Sequence, residues 1–442
     1  SAVNNLNVFA SNIVNTGLLQ SLTSNININN PAQYTATLAS VMGGGNLSSI
    51  LGNTLNMTGT AGVFSAIDGN INLGGTDLAK QTVMTILGGD YLSNSLNIDM
   101  GRGTLNAELG NITGTTNILA DVVHLGSTSG VLTLGSVKID GDPTFFNTGL
   151  GGISITGPMT VTEDLAILSS TDVNFNDNVI NVQDLTGAGR NVWIVAGASL
   201  TPSGGAAPQT AVIPGGVYPP APGAITVGTV SVNGASATGG NIVGGGTNAL
   251  VNANATVAGK NAGNVTLLAF SKSTTTGGIN QLNVTANGNG AGNNGNITVI
   301  AGGSFNNATA IQDVSAQSVG GTGAVGNILF SASQPVVSGL TFNVNGVTSG
   351  TVSPGAASAF NISLNQGALQ TDGGSLTLLG AGISSSIVIE SKGVASGRNG
   401  GLISISSAGP ISITNTIDSS GASGTAAAGA GLTGKAGANG GG

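Results

Sequence analysis

Gly263-Asn264-Val265-Thr266-Leu267-Leu268-Ala269, Gly295-Asn296-Ile297-Thr298-Val299-Ile300-Ala301 and Gly326-Asn327-Ile328-Leu329-Phe330-Ser331-Ala332 are three copies of one unit. Each opens on Gly-Asn, continues with alternating apolar and hydroxylated residues, and closes on Ala, which is the period-two pattern of a short strand entered from a turn. Looser copies follow at Gly374-Ser375-Leu376-Thr377-Leu378-Leu379-Gly380 and at Gly401-Leu402-Ile403-Ser404-Ile405-Ser406. Upstream, Asn25-Ile26-Asn27-Ile28-Asn29, Asn70-Ile71-Asn72-Leu73-Gly74, Gly130-Val131-Leu132-Thr133-Leu134-Gly135 and Ile153-Ser154-Ile155-Thr156-Gly157 repeat the theme less regularly. A strand-plus-turn unit recurring along a whole chain is a solenoid signature.

Composition narrows the solenoid to a parallel β-helix. A narrow core between short strands takes Val, Ile, Leu and Ala, and aromatics are only 3% of the 442 residues. Turns that recur at the same place on every coil need Gly for left-handed backbone and Asn whose amides stack in ladders. The expectation is an all-β, elongated parallel β-helix. At about 22 residues and ~4.8 Å per coil it makes a rod of roughly 100 Å. One stretch is ambiguous. Asp77 to Gly88 reads as a short helix capped by Asp77 and closed by Gly88, or as a strand and turn.

Charge excludes several functions. Lys plus Arg number 9 and Asp plus Glu 17, a charged share of 6% and a net charge of −8. Disordered chains are charge-rich and apolar-poor, whereas this one is 40% hydrophobic and should fold. Nine scattered cations cannot line a phosphate-tracking groove, so nucleic acid is not an expected partner. Gly, Asn, Ser or Thr interrupts every apolar run before it reaches the roughly 18 residues of a membrane span. With no Cys and one His, thiolate or multi-histidine metal sites are impossible, and no cofactor motif is present. The opening Ser1-Ala2-Val3 fits a chain whose signal peptide has been removed.

Composition also divides the chain. Prolines at 202, 208, 214, 219, 220 and 222 make 201–224 a Pro/Gly-rich loop or hinge between a first part, 1–200, and a repetitive part, 225–418. Residues 419–442 are a Gly/Ala-rich tail that reads as a linker.

Few side chains suggest chemistry. Lys138, Asp140 and Asp142 would share one face of a strand, a carboxylate pair beside a cation that suits Ca²⁺ or acid–base work on a polysaccharide; the plainer reading is a solvated strand end before Pro143. Asp172, Asn174, Asp177 and Asp184 are a second weak Ca²⁺ set, or ordinary turn residues. His124 lies in a strand pattern with no partner that sequence can name. Trp193, Tyr34, Tyr91 and Tyr218 could stack on sugars or anchor core and loops. No residue is assigned a catalytic role.

Residues 1–200 resemble the secretion domain of filamentous-haemagglutinin-like exoproteins of the two-partner secretion type. The resemblance lies in Asn-rich strands at Asn4-Asn5-Leu6-Asn7-Val8 and Ser24-Asn25-Ile26-Asn27-Ile28, in Gly43-Gly44-Gly45-Asn46-Leu47-Ser48-Ser49-Ile50-Leu51-Gly52, and in Gly189-Arg190-Asn191-Val192-Trp193-Ile194-Val195-Ala196-Gly197. Residues 225–442 resemble the repetitive stalk of such proteins. The resemblance implies a right-handed β-helix, export with an outer-membrane partner, an extracellular cell-surface location, and adhesive or fibrous function with surface glycans among the targets. Strand-like sequence at Asn4–Ala10 and Ile411–Thr414 adds the expectation of a head-to-tail homopolymer. The alternatives are a monomeric secreted adhesin fragment and a polysaccharide-cleaving β-helix enzyme.

Overall fold

A computed structural model describes residues 5–8, 12–28, 54–58, 62–74, 83–100, 103–203, 208–209, 225–226, 228–306, 313–317, 322–343, 346–356, 360–393 and 398–422. These residues are all-β, and the strands pair predominantly in parallel. Two compact units are formed. One comprises Ser1–Thr171, Leu200–Val232 and Gly339–Gly350; the other comprises Asp172–Ser199, Asn233–Ser338 and Thr351–Gly442.

In the second unit the sequence copies stack on one another. Val192–Ala196, Val265–Ala269, Ile297–Ala301, Ile328–Ser331, Leu376–Gly380 and Ile403–Ser407 pair in that order, with Val265 opposite Ile297, Ile297 opposite Ile328, Ile328 opposite Leu376, and Leu376 opposite Ile403. Every copy therefore presents the same side chains inward. Val265, Leu267, Ile297, Val299, Ile328, Phe330, Leu376 and Leu378 are buried, each such burial contributing about 1.5–3 kcal/mol. Two further parallel ladders run through the unit. One leads from Val173–Asn174 through Ile242–Val243, Ile279–Asn280, Phe305–Asn306, Asn361–Leu364 and Gly382–Ser385 to Ile411–Ile413. The other leads from Val179–Val182 through Leu250–Asn252, Asn283–Thr285, Asp313–Ala316, Ala368–Thr371 and Val388–Ser391 to Ile417–Asp418.

The Gly-Asn pairs explain how the copies are locked together. Asn191 Oδ1 accepts the backbone N–H and side-chain N–H of Asn264, both at 3.0 Å. Asn264 does the same for Asn296, and Asn296 for Asn327, before Asn327 accepts the Ser375 N–H at 2.8 Å. The glycine before each Asn is needed because the chain passes the preceding turn closely; a β-carbon on Gly295 would overlap the Gly263 carbonyl.

The first unit carries the same device on a strand face. Asn27 donates to Asn7, Asn72 to Asn27, Asn97 to Asn72 and Asn117 to Asn97, each from Nδ2 to Oδ1 at 2.8 Å. The flanking Ile26, Ile28, Ile71, Leu73, Leu96 and Ile98 point inward and are buried. Its other ladder runs from Asn12–Val14 through Thr54–Thr58, Val83–Leu87, Thr104–Asn111, Val122–Ser129 and Pro143–Asn147 to Leu165–Ser169.

That ladder corrects the helical reading of Asp77 to Gly88. Val83–Leu87 is a strand paired in parallel on both sides, and 77–82 lie outside the described residues. Thr85 and Ile86 are β-branched and fit the pleat. Met84 and Ile86 are buried with Thr85 between them, and Gly88 turns the chain at φ +75°.

The first unit also has a cover that its repeat pattern does not announce. Val230, Ser231 and Val232 pair antiparallel with Phe342, Thr341 and Leu340. The apolar members of this pair are all buried. Gly228 N–H donates to Asn106 Oδ1 at 3.3 Å, and Thr144 Oγ1 donates to the Asn343 carbonyl at 3.1 Å. The pair therefore sits on the outer face of Thr104–Asn111, Val122–Ser129 and Pro143–Asn147. Pro143–Asn147 is buried at every position as a result. Within the Pro-rich stretch, Pro208–Gln209 pairs antiparallel with Ile225–Thr226.

Candidate functional site

The carboxylates singled out by sequence act as turn caps. Asp172 Oδ1 accepts the Asn241 N–H at 2.7 Å and its side-chain amide at 3.3 Å, and Asn241 Oδ1 in turn accepts the Gly278 N–H at 2.9 Å. Asp177 continues the theme from a left-handed position, φ +63°, next to Asn176 at φ +47°. Its Oδ1 accepts the N–H groups of Asn248 at 2.6 Å and Ala249 at 3.1 Å, and its Oδ2 accepts the Asn248 amide at 2.7 Å. Gly246 leaves the room, since a β-carbon there would overlap the Asp177 carboxylate.

Asp184 closes its own turn. Oδ1 accepts the Thr186 N–H and hydroxyl, both at 2.8 Å, and the Ala188 N–H at 2.9 Å; Arg190 Nη2 donates to Oδ2 at 2.9 Å. Asp140 and Asp142 do not share a strand face with Lys138. The strand ends at Ile139, Asp140 lies in the bend that follows, and Asp142 Oδ1 accepts the Asp164 N–H at 2.6 Å. Asp172 and Asp177 likewise bond to different turns. Among the described residues, no group of three or more His, Asp or Glu side chains is placed to hold a metal ion.

Two side-chain contacts were beyond sequence. His124 is fully buried, and its Nε2 lies 3.3 Å from Glu108 Oε1, while Nδ1 has no hydrogen-bond partner among the described residues. Arg398 Nη1 donates to Asp372 Oδ2 at 2.7 Å and to the Asp372 carbonyl at 3.2 Å, and Nη2 donates to the Gly323 carbonyl. The partners stand 16 and 26 residues apart, so each meets only after the chain has gone round to the next strand of a ladder. The common signal is a charged residue inside an otherwise neutral repeat.

The aromatics are divided. Tyr91 is buried against Phe64, with ring centroids 4.9 Å apart, and burial pushes its hydroxyl well above the usual phenol range. Trp193 faces outward from its strand and is half-buried. Tyr34, Tyr218 and the stretch Gly43–Gly52 lie outside the described residues.

Capping has a pH signature. The side-chain hydrogen bond from Asn248, with the backbone N–H groups of Asn248 and Ala249, holds Asp177 below the ordinary carboxylate range. Burial pushes Asp184 up, but the N–H of Ala188, the bonds from Thr186 and the charge of Arg190 outweigh it and bring it down. Folded-state values below the unfolded ones mean stability that is complete above the unfolded range near pH 4 and is lost as pH falls through the folded values. The unfolding midpoint should therefore hold from neutrality to about pH 4 and drop below it. Asp177→Asn should flatten that drop, as measured by denaturant unfolding across pH 2–6; an unchanged profile would show that the cap does not titrate with folding.

No protein family, curated protein or solved structure matches the chain. Among the described residues, no helix is long and apolar enough to cross a membrane.

Proposed function

We propose that this chain is a structural subunit of an extracellular cell-surface filament or adhesive fibre, built as a right-handed parallel β-helix. The supporting observation is what its polar side chains do. Asn191, Asn264, Asn296, Asp172, Asp177, Asp184 and Arg398 bond to the backbone or side chains of turns and neighbouring coils. Groups that could perform chemistry are taken up in holding coil to coil, as suits a scaffold whose task is mechanical. The resemblance of residues 1–200 to haemagglutinin-type secretion domains supports an exported location and a dedicated outer-membrane partner.

Assembly is head-to-tail. Ile403–Ser407, Ile411–Ile413 and Ile417–Asp418 each pair on one side among the described residues, and Leu402, Ile411 and Ile417 are 54%, 49% and 47% exposed. Such strands are templates for a further strand. A second copy's Leu6–Val8 and Leu18–Ser21 likewise each pair on one side among the described residues, and Leu18 is itself 61% exposed. That contact is heterologous and propagates. Electron microscopy of the purified chain should show fibres, and Ile411→Lys with Ile417→Lys should leave β-rich monomers. A wild-type chain that stays monomeric by light scattering at high concentration would replace this reading with a monomeric adhesin fragment.

A further inference from the structure

Gly339–Gly350 is a piece of the first unit set between two stretches of the second, Asn233–Ser338 and Thr351–Gly442. A glycine with left-handed backbone stands at each end of it, with φ +62° at Gly339 and +110° at Gly350. Ser338 and Gly339 are exposed at one end, and Ser349, Gly350 and Thr351 at the other. A β-carbon on Gly339 would meet nothing within 4 Å, so packing does not call for the glycine there, whereas the backbone does. Past Gly339 this arm is anchored by what it buries. Leu340 and Phe342 lie under the surface, opposite Val232 and Val230. Thr341 is opposite Ser231, their hydroxyls 3.1 Å apart, and the Asn343 carbonyl accepts the Thr144 hydroxyl.

We propose that this arm is exchanged between copies, so that Gly339–Gly350 of one subunit pairs with Val230–Val232 of a second and lies on that copy's Thr104–Asn111, Val122–Ser129 and Pro143–Asn147 face. The contacts decide the occupant. Lifting the arm would bare Leu340, Phe342, Val230 and Val232, all buried, at about 1.5–3 kcal/mol for each side chain fully exposed. An empty face is therefore not a stable alternative, and the segment already fitted to it in register is one that every copy carries. The contacts between arm and face are the same residues in the closed and exchanged forms, so their free energy cancels between the two. What differs is the path of the chain at the ends of the arm, and there glycine takes positive and negative φ about equally well. Exchange of an identical element through such hinges is a low-cost route to association, and concentration then sets the balance. The contact uses neither chain end and so goes beyond the head-to-tail stacking proposed above. In a fibre it links the second unit of one subunit to the first unit of the next.

The chain has no cysteine, which allows a disulfide trap. Directly opposed residues of an antiparallel pair have Cα atoms about 4.5–5.5 Å apart, within the span of a disulfide, so Ser231→Cys and Thr341→Cys together report the arm against its strand. The two single variants, carrying tags of different mass, are mixed at high concentration, both as folded proteins and by joint refolding from denaturant, and then oxidised. Neither can close a bond within its own chain. Exchange should give a 231–341 heterodimer several-fold above the 231–231 and 341–341 homodimers. The double variant at low concentration should close its bond within one chain, which checks the register. Gly339→Val adds no clash but disfavours the positive φ of the closed form. Combined with Thr341→Cys, it should raise the heterodimer several-fold, with circular dichroism unchanged. The same mixture carrying Ile411→Lys and Ile417→Lys should cross-link to the same extent, so failure of terminal stacking and failure of arm exchange are read separately. A heterodimer no more abundant than the homodimers after joint refolding, or a yield that Gly339→Val leaves unchanged, overturns the inference.

Discussion

Arg398→Ala should be among the most damaging single substitutions in the second unit, lowering stability by about 3–5 kcal/mol. The Asp372 side chain is 0% exposed and that of Arg398 12%, and the guanidinium also holds the Gly323 carbonyl. One side chain thus ties together three segments of the stack. Removing it strands a buried carboxylate with its cation gone, and that desolvation penalty, more than the lost attraction, sets the size of the effect. The backbone of Arg398 is engaged as well, accepting the Ala422 N–H at 2.9 Å. Two companions separate the contributions. Arg398→Lys keeps the charge but loses the planar fork that reaches Asp372 and Gly323 together, and should fall between wild type and Ala. The double variant Arg398→Ala with Asp372→Ala removes the orphaned charge and should be less destabilised than Arg398→Ala alone. A stacked repeat need not unfold in one step, so the check is hydrogen exchange. Amides of Leu376–Gly380 and Ile403–Ser407 should lose protection in Arg398→Ala, while those of the first unit keep theirs. Unchanged protection would mean that the pair contributes nothing net.

How far the sequence discloses this structure depends on whether a feature is local. The Gly-Asn copies at 263, 295 and 326 and their looser followers at 374 and 401 are read correctly as successive strands, because period-two alternation and turn chemistry are written within seven residues. Asp177 and Asp184 are legible as turn residues for the same reason. What is not local stays hidden. The turn chemistry around Gly88 and the Asp77 cap candidate pull the reading toward a helix, and only the pairing of Val83–Leu87 with Thr54–Thr58 and Thr104–Asn111 settles it as a strand. Lys138, Asp140 and Asp142 look like one face only while the strand is assumed to continue past Ile139. The cover over the first unit comes from residues 228–232 and 340–343, more than eighty positions downstream of the strands it protects. Its trace in sequence is the loss of alternation at Val122-Val123-His124-Leu125 and Pro143-Thr144-Phe145-Phe146, where a strand exposed on one face would show polar residues at every second position. The solitary His124 belongs to that face, and its burial follows from the cover.

Phe146→Ala should be the counterpart in the first unit, at about 3–5 kcal/mol, and the reason lies across the sheet at Gly126. The two residues are opposite one another in register, both on the outer face. Gly126 has no side chain, so the Phe146 ring lies in the space a β-carbon would occupy, close to Cδ2, Cε2 and Cζ. From there it meets the His124 ring at a centroid distance of 4.8 Å and a tilt of 45°, and it is 1% exposed. Truncating Phe146 leaves a void beneath the antiparallel cover, and the surrounding strands are held too firmly by their ladders to collapse into it. Gly126→Ala attacks the same seat from below. The φ at Gly126 is not left-handed, so backbone freedom is not what the glycine provides. An unhindered Gly→Ala change would stabilise by about 0.4–1 kcal/mol through the unfolded chain. Here the added methyl meets an aromatic ring that cannot bend away, and a cost of about 1–3 kcal/mol is expected. Gly17→Ala is the control, because a β-carbon there meets nothing within 4 Å. The double variant Gly126→Ala with Phe146→Ala should be markedly better than the sum of the two singles, since each change removes the other's clash or void. Denaturant midpoints of the four proteins measure that coupling. If Gly126→Ala behaves like Gly17→Ala, the ring is not seated on the glycine, and the cover is held by the Asn106 and Thr144 hydrogen bonds and the burial of Val230 and Phe342 without it.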